Sequence, residues 1–422
     1  MCLLFYITLV QLLTQNQILT GATGSLGAHI LAQMVNNDGV NKVYCLVRGR
    51  DPMSRVLTSL KERGIELAEY SLSKVVAYSA DFGKSDLGLG EEMIEQFKKE
   101  VSLIIHFAWP VNFAIHLPSF EAHIKGLQTL LALSLAVERK EPARVFFASS
   151  ITTAEGTPPP ALIPDAPIED FNQALEMGYA QSKLVGEHII LNAARAGARS
   201  YILRIGQIVG DRNWGLWNVD EFIPLTIRSA VSMKLLPIMN EDCSWIPVDT
   251  LATAILEIDQ KLKAGPRPNA ISNTNPPVIY NMVNPRLFPW NDMLEELHVA
   301  GLDFKAVPYI EWLQKLREDA ANHKEAVNPA VKLLVHFEQR YVLEEVAEAK
   351  AKLNGTKSSG ASSPNGSEWV QINGSNSPTA IIFDTKAALR DSTVLRNPPD
   401  IIKDGYIGQF LYQWRKKWAE SK

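Results

Sequence analysis

The sequence predicts an α/β protein with a doubly wound parallel sheet, followed by a smaller, mostly helical C-terminal domain. Three observations lead to this prediction. Apolar runs of strand length alternate with helix-like patterns from Ile18 to about Asp259. The runs are continuously apolar, which is typical of parallel strands buried on both faces. A glycine-rich turn separates the first strand from the first helix, where a doubly wound fold binds its ligand.

The strands after Ile18 are predicted from five apolar runs. They are "KVYCLVR" (42–48), "KVVAYSAD" (74–81), "VSLIIHFA" (101–108), "ARVFFASS" (143–150) and "SYILRIG" (200–206). Helical patterns such as "LGAHILAQMV" and "EHIILNAARAG" lie between them. We therefore expect a dinucleotide-binding domain over 17–268, preceded by an extra N-terminal lead-in at 1–16. The lead-in is apolar but has no basic segment or small-residue cleavage site, so we do not interpret it as a targeting signal.

The character of the chain changes near residue 268. A connection rich in proline and asparagine, "AGPRPNAISNTNPP", is followed by patterns that are mainly helical. We expect a helical substrate- and carrier-binding subdomain over 269–422. Within it, the low-complexity stretch 354–377 is expected to be a mobile loop.

Composition limits the possible functions. The formal net charge of -4 argues against a nucleic-acid binder, which needs a basic face. The three cysteines, Cys2, Cys45 and Cys243, are too few and too scattered for a disulfide framework or a zinc site. We expect no metal and no membrane association, and a reducing compartment, the cytoplasm, as the location.

The glycine motif in "TGATGSLG" (20–27) predicts the dinucleotide site. Glycine is needed because a side chain would block the tight turn and keep the backbone away from the pyrophosphate. N–H groups at the start of the following helix can then bind phosphate. The expected contacts are Gly21, Thr23, Gly24, Ser25, Leu26 and Gly27. The alternative is an ordinary strand-to-helix turn with convenient glycines.

The end of the second predicted strand indicates which dinucleotide binds. NAD sites usually place an acidic residue there, on the ribose 2′-hydroxyl. Here the strand ends in Arg48, with Arg50 as a helper, and a guanidinium suits the 2′-phosphate of NADPH. The alternative is that Arg48 is a solvated strand-end charge. Asp81, at the end of the third strand, is expected near the adenine, and His106 is expected to be structural.

Ser150, Tyr179 and Lys183 are the predicted catalytic residues. Tyr179 and Lys183 are four residues apart and share one face of a helix. An ammonium group near a phenol favours the phenolate, so we expect Lys183 to lower the pKa of Tyr179. Tyr179 can then give a proton to a carbonyl oxygen as a hydride arrives, and Lys183 can also reach the nicotinamide ribose. Ser150 is expected to hold the carbonyl oxygen; its rivals are Ser149, Thr152 and Thr153.

At these residues the chain resembles the extended short-chain dehydrogenase/reductases, from Ile18 to about Asp259. More narrowly, it is similar to the thioester reductase domains of fungal nonribosomal-peptide-synthetase-like and adenylate-forming reductases of secondary metabolism. The motifs that carry this resemblance are "TGATGSLG" (20–27), "LVR" (46–48), "RIGQIVG" (204–210) followed by "GLWN" (215–218), and "WIPVD" (245–249). The helical tail, with "VNPRLFPW" and "VNPAVKLL", is also similar.

The resemblance implies that NADPH reduces an acyl thioester, held on the phosphopantetheine arm of an acyl carrier protein, to an aldehyde. A second hydride would give the alcohol. Gln207, Trp217 and Asn218 then fall near the nicotinamide and substrate, although packing of a loop explains them equally well. Relatives often have threonine where Ser150 stands.

No adenylation or carrier region is seen, so we expect a stand-alone reductase or a detached terminal piece. Other readings are a sugar-nucleotide or hydroxysteroid enzyme of the same superfamily, or a non-catalytic NADP-sensing regulator.

Overall fold

The structure is a computed structural model that describes residues 15–263, 265, 278–338 and 381–420. Two segments predicted from the sequence lie wholly or mostly outside these residues. The expected mobile loop at 354–377 lies outside the described residues, and so does the expected lead-in, except for its last two residues. Those two residues, Gln15 and Asn16, begin the first strand.

The described residues form the following elements. The strands are β1 (Gln15–Thr20), β2 (Val40–Val47), β3 (Val75–Ser79), β4 (Val101–His106), β5 (Arg144–Ser150), β6 (Ala161–Ile163), β7 (Arg199–Ile205), β8 (Ile208–Val209), β9 (Leu235–Ile238), β10 (Asp242–Cys243), β11 (Ile246–Pro247), β12 (Ile279–Met282), β13 (Phe288–Pro289), β14 (Lys305–Pro308) and β15 (Ile381–Phe383). The helices are α1 (Ser25–Val35), α2 (Pro52–Glu62), α3 (Glu69–Leu72), α4 (Glu91–Glu100), α5 (Glu121–Leu135), α6 (Gly178–Arg195), α7 (Phe222–Met233), α8 (Val248–Lys263), α9 (Trp290–Val299), α10 (Tyr309–Ala321), α11 (Lys386–Asp391), α12 (Thr393–Arg396) and α13 (Tyr406–Glu420).

Seven parallel strands form the central sheet, in the order β12-β7-β5-β4-β1-β2-β3. From β1 the chain winds outward to β2 and β3, and then crosses to β4 and continues outward in the other direction. The reversal leaves a crevice at the carboxyl ends of β1 and β4, where such folds bind their ligands. This arrangement confirms the predicted doubly wound α/β fold.

Both faces of the sheet are buried, which explains why the strands are apolar without alternation. Successive side chains of a strand point to opposite faces. Leu19 and Phe146 belong to the core on one face, whereas their neighbours Ile18 and Phe147 belong to the core on the other. All four side chains are fully buried. A polar residue at either position would therefore lie in a core, which the sequence avoids.

The chain divides into two compact units that are discontinuous in sequence. The first comprises Met1–Arg212, Ser244–Pro285 and Pro378–Pro399, and the second comprises Asn213–Cys243, Arg286–Ser377 and Asp400–Lys422. The sequence suggested one boundary near 268, whereas the chain passes from one unit to the other several times. The cause within the first unit is the pairing of β12 with β7, which returns the chain to the sheet.

The second unit has its own aromatic core. Trp290, Trp312 and Trp414 are fully buried. Two of the indoles satisfy their polar atom inside the unit, since Trp290 Nε1 donates to the carbonyl oxygen of Pro237 and Trp312 Nε1 donates to Ser229 Oγ. No helix in the described part of the chain combines the length and the apolar character needed to cross a membrane.

Candidate dinucleotide and catalytic site

The glycine turn after β1 has no room for side chains. Gly21 has a φ of +79°, in the region that favours glycine, and a Cβ there would lie 2.8 Å from the carbonyl carbon of Phe107. A Cβ on Gly27 would lie 2.1 Å from the carbonyl oxygen of Gly21. Gly24 is the N-cap residue of α1 and supplies no side-chain cap. The first N–H groups of α1 are thus left for a ligand, as an anion site requires.

Thr20 joins the ends of the two strands that border the crevice. Its Oγ1 lies 2.8 Å from Nδ1 of His106 and accepts hydrogen bonds from the backbone N–H groups of Phe107 and Ala108. Burial, and secondarily the charge of Lys183, lower the pKa of His106 to about 3. His106 is therefore neutral, and its contacts suit the structural role that we expect for it.

A pocket of about 480 Å³ lies beyond the ends of β2 and β3. Its lining includes Arg48, Asp81, Lys84 and His123, but not Arg50. Arg48 is exposed at the pocket, and its carbonyl oxygen accepts a hydrogen bond from the guanidinium of Arg55. Two cationic side chains and one carboxylate around a cavity of this size suit the adenosine part of a dinucleotide. The pocket and the glycine turn together fit an extended dinucleotide.

The three predicted catalytic residues come together in the first unit. Ser150 is the last residue of β5, and Tyr179 and Lys183 lie one turn apart near the start of α6. All three are buried. A hydrogen bond from the Ser150 side chain acts to lower the pKa of Tyr179. Ser150 Oγ itself accepts a hydrogen bond from Thr152 Oγ1 at 3.0 Å.

The predicted effect of Lys183 on Tyr179 is wrong. Burial dominates and raises the pKa of Tyr179 to about 12. Lys183 is buried too, and burial lowers its own pKa well below the usual value. Its Nζ donates to the carbonyl oxygen of Ala148 at 2.5 Å and lies 5.6 Å from the centre of the Tyr179 ring. Tyr179 is therefore protonated at neutral pH, which is the form that a proton donor needs.

The rival hydroxyls have different partners. Ser149 Oγ donates to Glu187 Oε1 at 2.6 Å. Thr153 Oγ1 lies 2.8 Å from the carbonyl oxygen of Ser150 and 3.2 Å from Glu187 Oε1. Both hydroxyls thus belong to a buried network beneath the turn, whereas Ser150 reaches Tyr179. Sequence reasoning missed Glu187, although a charged residue four positions after Lys183 on a buried helix face could have revealed it.

The three tentative substrate residues are divided between the two units. Gln207 belongs to the first, where its Nε2 donates to the carbonyl oxygen of Ile208. Trp217 and Asn218 belong to the second. The Trp217 ring is buried, with its centre 5.3 Å from that of Trp414, and its Nε1 donates to Glu221 Oε2. Asn218 Oδ1 accepts from the N–H of Asp220. A substrate role for these residues stays a prediction.

Within residues 15–263, 265, 278–338 and 381–420, no group of three or more histidine, cysteine or acidic side chains is placed to hold a metal ion. Cys45 and Cys243 are both buried.

The doubly wound sheet, the glycine turn at its crevice and the Tyr-x-x-x-Lys helix define a nicotinamide-dinucleotide-binding protein of the extended short-chain dehydrogenase/reductase type. The chain belongs to the NAD-binding family described as Male sterility protein, which it matches over residues 19–255.

Known proteins of two kinds are similar to the chain. It is 35% identical to the adenylate-forming reductase Nps10 of Heterobasidion annosum over 339 residues, which are 78% of this chain and 30% of that protein. It thus spans about a third of that relative. Among solved structures, the terminal R domain from the myxalamid PKS-NRPS biosynthetic pathway has a TM-score of 0.73 at 23% identity, over 96% of this chain and 91% of that one. A thiolation-reductase di-domain from an archaeal non-ribosomal peptide synthetase has a TM-score of 0.69 at 15% identity, over 97% and 76%.

Proposed function

We propose that this protein is an NADPH-dependent reductase that releases a carrier-bound acyl thioester as an aldehyde. One observation carries the proposal. Ser150 and a protonated Tyr179 lie side by side at the carboxyl end of β5, with Lys183 one helical turn further along α6. This arrangement suits delivery of a proton to a carbonyl oxygen. The reductase names of the chain's relatives support the same reaction class.

The residues perform the reaction as follows. NADPH, when bound, supplies the hydride that reaches the thioester carbon. Ser150 accepts a hydrogen bond from Thr152, and with the substrate bound its own proton is donated to the carbonyl oxygen. Tyr179 transfers its proton to that oxygen as negative charge develops there. The product is a hemithioacetal, whose C–S bond then breaks to give the carrier thiol and the aldehyde.

The cofactor assignment depends on Arg48 and the glycine turn. The N–H groups at the start of α1 would hold the pyrophosphate. Arg48 lines the pocket and would pair with a 2′-phosphate, which NADPH has and NADH lacks. Arg50 is exposed next to this loop and would act from outside the lining. Asp81 would contact the adenine.

The assignment of a carrier protein as partner rests on effective concentration and on a solved structure of similar fold. One solved structure of similar fold is a thiolation-reductase di-domain, and we extend this pairing to the present chain as part of the proposal. A docked carrier makes contacts remote from the reacting carbon and raises the effective concentration of the thioester. We assign the carrier-binding surface to the helical region beyond residue 268.

The test presents one acyl group in four forms and measures NADPH oxidation. The forms are a carrier-bound thioester, a coenzyme A thioester, a short-thiol thioester and the free acid. We expect the highest kcat/KM on the carrier and no reaction with the free acid. Equal kcat/KM on carrier and short thiol would remove the docking claim alone. Turnover only with a sugar nucleotide or a steroid, or cofactor binding without any turnover, would overturn the proposed function.

A further inference from the structure

A buried ion pair lies beneath the candidate catalytic residues. Glu187 and Arg204 are both fully buried. Arg204 Nη2 donates to Glu187 Oε2 at 2.7 Å, and Nε is 3.0 Å from Oε1. The remaining Arg204 donors reach the carbonyl oxygens of Pro164 and Ala166. The free energy needed to desolvate two buried charges can exceed the gain from pairing them. Stability alone therefore does not explain this ion pair.

The position of the pair connects the elements that carry the site. Glu187 lies on α6 four residues after Lys183, and Arg204 lies on β7 opposite Ser149 of β5. The carboxylate accepts from Ser149 Oγ at 2.6 Å, and Thr153 Oγ1, which lies 2.8 Å from the carbonyl oxygen of Ser150, is 3.2 Å from it. It therefore contacts the hydroxyl before Ser150 and a hydroxyl of the turn after it. With both hydroxyls held below, Ser150 is the one that reaches Tyr179.

The pair also acts on Lys183 through its charge. Burial lowers the pKa of Lys183, and Glu187 is the charge that opposes this effect. The other ionisable groups around Lys183 come from β4, α5 and the start of α6. His106 and His123 both have lowered pKa values, for which burial is the main cause, and are neutral at pH 7. The pKa of Tyr179 is about 12, so it is neutral as well.

We propose that Glu187 is a positioning residue, which selects Ser150 as the hydroxyl that faces Tyr179 and places a negative charge one helical turn from Lys183. The inference rests on the proposed function only for its kinetic consequences. Removal of the carboxylate would take away the acceptor of Ser149 Oγ and leave the Arg204 cation uncompensated. It would also remove the charge that opposes the effect of burial on the pKa of Lys183, so that pKa should fall.

The first experiment is Glu187→Gln, which keeps the shape of the side chain. Lys183 is titrated by NMR in the cofactor-free protein labelled with ¹³C-lysine, and its signal is assigned by its loss in Lys183→Arg. We expect the pKa of Lys183 to fall by about one pH unit or more. The alkaline limb of the pH profile of kcat should move to lower pH in parallel. An unchanged Lys183 titration would overturn the electrostatic half of the proposal.

The chain offers a matched control on the same strand. Arg144 and Asp259 form a second buried ion pair, with Arg144 Nε donating to Asp259 Oδ1 at 2.6 Å. Arg144 is the first residue of β5, six residues or roughly 20 Å of strand from Ser150. Asp259→Asn should lower stability as Glu187→Gln does, but leave the Lys183 titration and the pH profile unchanged. Equal shifts of the Lys183 titration in both variants would mean that Glu187 contributes to stability in general and not to the site in particular.

A milder pair of variants covers the case in which Glu187→Gln does not fold. Thr153→Val removes the hydroxyl that joins the carbonyl oxygen of Ser150 to Glu187, whereas Thr153→Ser keeps it. We expect Thr153→Val to lower kcat about tenfold or more, because a small misplacement of the Ser150 turn is costly. KM for NADPH should not change, and Thr153→Ser should restore kcat. Equal kcat in the two variants would overturn the positioning half of the proposal. If the wild type reduces no thioester at all, the proposed function fails, but the Lys183 titration still decides this inference.

Discussion

Lys183 Nζ donates a hydrogen bond to the carbonyl oxygen of Ala148, two residues before Ser150, at 2.5 Å. The bond ties the helix that carries Tyr179 to the strand that carries Ser150. It also holds the Lys183 ammonium group away from the phenol of Tyr179. Burial raises the pKa of Tyr179 to about 12, and the site is suited to donate a proton rather than to hold a phenolate.

The first prediction concerns the proton donor. Tyr179→Phe keeps the ring, which lies against Phe113, and removes the hydroxyl. Hydride transfer should fall by about 10²-fold or more, the usual contribution of a positioned proton donor. Single-turnover oxidation of NADPH measures this step, and cofactor affinity should stay near the wild-type value. Tyr201→Phe, the same deletion at a buried position of β7, is the control and should keep its rate. Retention of most of the turnover by Tyr179→Phe would show that another group gives the proton.

The second prediction concerns cofactor choice. Arg48→Ala should weaken NADPH binding by about tenfold or more, since a charge-assisted hydrogen bond contributes about 1.5–3 kcal/mol. NADH affinity should change little, because NADH has no 2′-phosphate. Isothermal titration with both cofactors provides the measurement. Lys42→Ala, at an exposed position near the other end of β2, removes one positive charge as a control. Equal losses for NADPH and NADH would refute the assignment of Arg48.

The third prediction concerns the glycine turn. In Gly27→Ala the new methyl group would meet the Gly21 carbonyl oxygen at 2.1 Å, so the backbone of the turn must move. We expect a stability loss of about 1–3 kcal/mol, typical of overpacking, and a large loss of cofactor affinity. Urea unfolding and cofactor titration measure the two effects. Gly408→Ala is the control, since its Cβ would meet the nearest atom, Ala300 Cβ, at 3.9 Å. Wild-type cofactor affinity in Gly27→Ala would mean that the dinucleotide does not bind at this turn.

The fourth prediction concerns pH and Asp165. Its carboxylate accepts the backbone N–H groups of Asn281 and Ala387, yet burial raises the pKa to about 6. The folded state therefore binds the proton more tightly than the unfolded state. The stability that this protonated group contributes is complete below about pH 4 and is lost as the pH rises through 6, on the order of 3 kcal/mol.

The measurement for Asp165 is urea unfolding of the wild type and of Asp165→Asn between pH 4 and pH 7. The free energy of unfolding of the wild type should fall relative to that of the variant as the pH rises. Asp38→Asn, at an exposed turn, should follow the wild type throughout. A constant difference between wild type and Asp165→Asn across this range would show that Asp165 does not titrate there.

The sheet and the glycine turn could be predicted from the amino-acid sequence. Each depends on features that are local in the chain. A strand buried on both faces must be apolar at every position, as around Ile104 and Phe146, whatever its partners are. A turn without room for Cβ atoms must carry glycine, as at Gly21 and Gly27. The one-turn spacing of Tyr179 and Lys183 was likewise readable, because helix geometry fixes it.

The contacts that the site residues make depend on the packing of distant segments. Four hydroxyls follow one another closely from Ser149 to Thr153, and no local rule distinguishes them. Two of them, Ser149 and Thr153, contact Glu187, more than thirty residues away in sequence. The pKa of Tyr179 is raised rather than lowered, because its largest cause is desolvation, which is set by the surrounding fold. Burial and long-range contacts arise only when distant segments pack, and a pattern of nearby residues does not contain them.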